Sequence, residues 1–117
     1  QWAGRMSEVT AASLLAMLDR AAPGFRGYAE SDGNLFDRDT VHGVFAACSH
    51  YVLDCSAAPL WSAVADLVNR FVGGPDAGLD NAACTCFLEK LASRDHPLDG
   101  LLRGEALAHW RRWCDGV

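Results

Sequence analysis

Residues 41–55, VHGVFAACSHYVLDC, decide the fold. Val41, Val44, Phe45, Cys48, Tyr51, Val52 and Cys55 recur in steps of three and four without a break. That is the period of one buried face of an α-helix, and a strand would instead alternate every second residue. Asp39 or Thr40 stands where an N-cap belongs, so a helix is expected from there to Cys55.

The same period extends in both directions. Towards the C-terminus, a helix beginning near Pro59 carries Leu60, Val64, Leu67, Val68 and Phe71 on one side, and Gly73-Gly74-Pro75 stops it. A fourth helix is expected from an Asp80 cap, with Cys84, Phe87, Leu88 and Leu91 as its stripe. A short turn over 97–102 and a break at Gly104 then lead to a closing helix over 105–114, with Leu107, Trp110 and Cys114 on one face. Towards the N-terminus, Ser7 is the expected cap of a helix over 8–22 with Leu14, Met17, Leu18 and Ala21 inward, ended by Pro23-Gly24. Residues 25–39, FRGYAESDGNLFDRD, read as a loop pinned by Phe25, Tyr28, Leu35 and Phe36. No segment alternates, and isoleucine is absent. The expectation is an all-α fold: a single helical domain over 1–117, a compact bundle of five or six helices with antiparallel neighbours, whose pairs could stack like a short solenoid.

Composition narrows the functional classes. Half of the 117 residues are hydrophobic, enough for a core. No apolar run approaches the roughly 18 residues of a membrane span, and QWAGRMS has no signal-peptide pattern. Five cysteines is an odd and sparse set, which reads as reduced thiols in a cytoplasmic protein. The net charge of −5, from fifteen acidic and ten basic residues, disfavours direct nucleic-acid binding. It suits a basic protein partner better.

Cys84 and Cys86 would point about 200° apart on a helix, so they are not expected to share an ion, and CxC is not a zinc-site spacing. Cys48 and Cys55 are about 10.5 Å apart along one helix, beyond disulfide reach. His42 and His50 are about 12 Å apart in the same sense. GGPDAG lacks the Lys-Ser/Thr of a phosphate loop, and neither Asp32-Asn34-Asp37 nor Asp76-Asp80 has the calcium-loop spacing. No nucleophile motif is present. The expectation is no catalytic residue, no metal and no cofactor.

What remains is acid. Residues 28–40 hold Glu30, Asp32, Asp37 and Asp39 against Arg38 alone, with Tyr28, Leu35 and Phe36 as apolar anchors; Asp76 and Asp80 form a second patch. Carboxylates at helix starts are often caps. The rest suit a docking surface, so these six acids are the candidate partner-binding residues.

The block Asn81, Ala82, Thr85, Cys86, Phe87, Leu88, Glu89 and Leu91, followed by His96-Pro97-Leu98 and a Trp-rich final helix, resembles small all-helical bacterial immunity-type proteins. Some proteins of this kind are encoded beside polymorphic or contact-dependent growth inhibition toxins. The resemblance covers about 35 residues and brings no catalytic motif. It implies an antitoxin that binds a cognate toxin domain, such as a basic nuclease, and covers its active site with carboxylates. Two alternatives stand beside it. One is a helical adaptor with a peptide groove involving Trp61, Trp110 or Trp113; the other is an enzyme using Cys and His.

Overall fold

The computed structural model describes residues 9–31, 37–54, 58–94 and 96–115, and these residues are helical with no strand. Ser7, Asp32, Asn34, Leu35, Phe36 and Cys55 lie outside the described residues. Helix α1 (Ala11–Ala21) is capped not at Ser7 but at Thr10. The Thr10 hydroxyl accepts from Ser13 N at 3.1 Å, and the Ser13 hydroxyl accepts from Thr10 N at 2.9 Å. This reciprocal box satisfies amide donors that a helix start leaves open. Its buried face is Leu14, Leu15 and Leu18, rotated slightly from the expected stripe, so Met17 and Ala21 are only half-buried.

The stretch expected to be a loop opens with a short helix, α2 (Phe25–Ala29). Asp19 accepts from Arg26 N at 2.9 Å, and Phe25 is fully buried. Five residues are too few to signal a period, which is why the pattern missed it. Phe25 and Tyr28 both stack on Tyr51, with ring centroids 5.6 and 5.2 Å away, and the Tyr51 hydroxyl donates to Pro23 O at 3.1 Å.

Helix α3 (Val41–Asp54) follows the expected face closely. Val44, Phe45, Cys48, Tyr51 and Val52 are buried, and Thr40 is the cap, its hydroxyl accepting from Gly43 N at 3.0 Å. Helix α4 (Ala58–Phe71) buries Val64, Ala65, Leu67 and Val68. Phe45, near the start of α3, lies 6.3 Å from Phe71 at the end of α4, so these two helices run antiparallel.

Helix α5 covers 77–92 and starts one turn before the expected Asp80. Asp76 is its cap, accepting from Leu79 N at 3.1 Å. Its middle departs from α geometry: Ala77–Ala82 is α, Ala83–Leu88 is π, and Glu89–Ala92 is α again. The buried residues explain this. Leu79, Ala82 and Ala83 face the core, and so do Phe87, Leu88, Leu91 and Ala92. The steps from Ala82 to Phe87 and from Ala83 to Leu88 are five residues, which in an α-helix would turn about 140° off the face. A π turn, bonded i to i+5, brings both sets back to one side. Cys84 is displaced from the expected stripe by this shift and is only half-buried.

Leu98 anchors a 3₁₀ turn (Pro97–Leu101), and the His96 ring, 4.4 Å from Trp61, caps it by accepting from Leu98 N at 3.2 Å. Asn69 ties the connection to α4, donating to Leu101 O at 3.1 Å and accepting from Arg103 N at 2.9 Å. Helix α6 (Gly104–Asp115) then buries Ala106 and Trp110, while Cys114 is exposed.

The all-α bundle holds, and α5 and α6 are a parallel pair within it. Glu89 meets His109 at 2.9 Å and Ser93 meets Trp113 at 3.3 Å, both contacts advancing in the same sense. The connection over 93–103 passes across α4 and returns the chain to the start of α5, where Glu105 lies against Gly73. The buried residues of all these elements form one core cluster.

Candidate partner-binding site

The start of α3 is built by a close approach. Asp37 O lies against the α-carbon of Gly43: a Cβ there would sit 1.8 Å from that oxygen. Only glycine lets the chain fold back onto the first turn of α3 in this way. Asp37 Oδ1 accepts from Asp39 N at 3.0 Å, an Asx turn that holds the segment ahead of Thr40. Asp37, Arg38 and Asp39 are all exposed. Carboxylates here also lie at the positive end of the α3 dipole, which favours them locally.

The start of α5 uses its acids differently. Besides Leu79 N, Asp76 accepts from Val9 N through Oδ2 at 3.4 Å, holding the residues that lead into α1. Asp80 Oδ1 accepts from Gly73 N at 3.1 Å and takes a weak bond from the Cys84 thiol at 3.7 Å. Gly73 has φ +80°, a left-handed conformation suited to the residue that ends α4. Both carboxylates are half-buried and committed to backbone donors.

One hydrogen bond joins the two helix starts. Asn81 Nδ2 donates to His42 Nε2 at 3.0 Å. An amide nitrogen can only donate, so the imidazole accepts. Asp39 is three residues before His42 and Asp80 is next to Asn81, so segments 37–40 and 76–81 lie at one end of the molecule. Neither His42 nor Asn81 stood out in the sequence as a partner of the other, because they are 39 positions apart and neither belongs to an apolar stripe.

Glu30 belongs elsewhere. It follows Tyr28, whose ring packs on Tyr51, eleven residues or about 16 Å along α3 from Thr40. It also pairs with Arg26 at 3.7 Å, both side chains being nearly half exposed. The acids of 28–40 therefore do not form one surface: Glu30 is anchored towards one end of α3, Asp37 and Asp39 are at the other, and Asp32 lies outside the described residues.

The thiols sit in separate surroundings. Cys84 contacts Asp80, whereas Cys86 Sγ lies 3.6 Å from the Thr85 hydroxyl. Burial pushes the Cys48 thiol far up. Burial, then the Asp80 carboxylate, push Cys84 up to about 11, with Glu89 adding to the rise and Arg112 opposing it. At neutral pH both are thiols, the less nucleophilic form. No group of three or more His, Cys, Asp or Glu side chains is placed to hold a metal ion among the described residues. Nor is any helix there long and apolar enough to cross a membrane. Comparison with protein-family models, curated proteins and solved structures finds no match to this chain.

Proposed function

We propose that this protein is an immunity-type antitoxin that binds a basic protein domain through the end where α3 and α5 begin. The observation that carries the reading is the Asn81–His42 bond, which brings exposed Asp37 and Asp39 beside the Asp76–Asp80 segment. Arg38 is the one cation within these two stretches. Such a cluster attracts a basic surface over a distance near the Debye length and raises the rate of encounter. Against a nuclease, the carboxylates would occupy the positions of substrate phosphates. The immunity-type resemblance of residues 81–91 names the partner class, and the placement narrows the contact residues. Asp37 and Asp39 are the binding acids; Asp76 and Asp80 shape the surface beneath them. The raised thiol pKa values of Cys48 and Cys84 disfavour these two as nucleophiles.

The test is whether a secreted protein with a variable C-terminal domain is encoded beside this chain, and binding to that domain measured in low and physiological salt. Wild-type affinity should fall as salt rises, and the double variant Asp37→Lys, Asp39→Lys should bind at least about tenfold more weakly. Affinity indifferent to both salt and charge reversal would sink the acidic-end reading.

A further inference from the structure

A second concave surface lies between α1 and α4, and at Arg70 it adjoins the cleft that Asp76 lines. Its cavity of about 430 Å³ is floored by Met17, Ala21 and Leu67 and carries Arg20 and Arg70. Met17 and Ala21 are half-buried and Leu67 is buried, whereas both arginines are exposed. The lining residues recur as i, i+3, i+4 on α1 and as i, i+3, i+4, i+7 on α4. The groove is thus the valley between two helix ridges.

The orientation of the two helices sets the spacing of the charges. Val9, ahead of α1, lines an adjoining cleft with Arg70 and Phe71 at the end of α4, so α1 and α4 are antiparallel. Arg20 therefore stands near Ala63, and Arg70 is seven residues further along α4, about 10.5 Å or two helical turns. Asp66 also lines the groove, between Ala63 and Arg70, and its carboxylate is paired with Arg103 at 3.3 Å. Neither Arg20 nor Arg70 makes an ion pair among the described residues. On a chain of net charge −5, this is a trough with an apolar floor, a cation towards each end and, between them, Asp66, whose charge Arg103 meets.

We propose that this groove receives an acidic amphipathic helix from a partner protein. Its apolar residues at i, i+3 or i+4, and i+7 would lie on Met17, Ala21 and Leu67. Two carboxylates about seven residues apart would meet Arg20 and Arg70. Helix-in-groove recognition uses this anchor spacing, and methionine adapts its shape to such ligands. The last turns of α1 and α4 also favour cations through their dipoles, which accounts for an arginine at each helix end. The dipoles do not account for the apolar floor held between them. The proposal is distinguished from the acidic-end function by its contact residues, Arg20 and Arg70 in place of Asp37 and Asp39, and by the opposite sign of charge.

The experiment is selection of a displayed random 14-residue peptide library on the intact protein, followed by affinity measurement of the enriched peptides. Enrichment of helical peptides with paired Asp or Glu two turns apart is expected. Their affinity should fall at least about tenfold on Arg20→Glu with Arg70→Glu, and stay within about twofold on Asp37→Lys with Asp39→Lys. Circular dichroism and thermal melting confirm that each variant is folded, and Arg20→Gln with Arg70→Gln serves as a milder pair. No enrichment would overturn the proposal. So would enriched basic peptides that respond only to the Asp37 and Asp39 changes, a result that would instead support the acidic end. Concentration-dependent dimers abolished by the arginine variants would overturn it too, by making a second copy the occupant.

Discussion

The starts of α3 and α5 carry similar strings, DRDT at 37–40 and GPDAGLD at 74–80, and put their acids to different uses. At α5 the carboxylates turn onto amides: Asp76 holds Leu79 N and Val9 N, and Asp80 holds Gly73 N. At α3 the Thr40 hydroxyl takes the capping role, leaving Asp39 and much of Asp37 facing water. A hydroxyl cap thus leaves nearby carboxylates facing water, while a carboxylate cap commits them to the fold. Equal acidity in sequence does not mean equal availability in three dimensions.

The largest effect that would break this comparison is at Gly43. Replacing it with Ala forces a Cβ into Asp37 O, so the 37–40 segment must shift. A loss of about 2–3 kcal/mol in urea unfolding is expected; a change within about 0.5 kcal/mol would mean that the segment does not press on α3. Next is Asp76→Ala, which removes the α5 cap and the tie to Val9. Its expected cost is about 1–2 kcal/mol by the same measurement, with Asp76→Asn retaining much of the stability because Asn also caps. If Asp76→Ala were neutral, the acids of α5 would be as free as those of α3.

The two remaining tests are smaller and sharper. Asp37→Lys or Asp39→Lys should change stability by no more than about 0.5 kcal/mol each, as exposed sites do, even where partner binding is lost. A large destabilisation would move these residues into the structural class. The last test reads Asp80 through its neighbour. Burial is the main cause of the raised Cys84 pKa and Asp80 the next. Because a negative neighbour disfavours the thiolate, Asp80→Asn should lower the Cys84 pKa from about 11 and modestly speed its alkylation near pH 9. Mass mapping of the modified cysteine gives the readout. Alkylation slowed by Asp80→Asn would contradict the direct contact.

The departures from the expected pattern share a physical origin. Asp80 marks a helix start by residue type, but Pro75-Asp76-Ala77 is an equally good start, and the choice depends on Gly73 and Val9 arriving from elsewhere. The π segment has a trace in the sequence, the five-residue steps from Ala82 to Phe87 and Ala83 to Leu88. Alanine is too common on exposed helix faces for that trace to decide the matter before packing is known. Phe87, with its ring 5.9 Å from Phe45, takes up the shifted face. Asp37 and Asp39 were legible as acids near a helix start, whereas the split from Glu30 was not. That split depends on Tyr28 meeting Tyr51 at the far part of α3.

By itself, the sequence determined that this protein is all-α, where α3 and α4 lie, and that Val44, Phe45, Cys48, Tyr51 and Val52 of α3 enter the core. Those properties follow from a local period of three and four that any tertiary arrangement must bury. Ala47 and Ser49 join these residues in the core, and Val41 is only half-buried. Only the tertiary structure decided that α5 and α6 run parallel, that α5 widens into a π turn, and that the acids of α3 and α5 share one end. It also placed Arg20 and Arg70 on the same groove. Each of these depends on contacts between residues far apart in the chain, such as Asn81 with His42 and Glu89 with His109, which leave no periodic mark in the sequence.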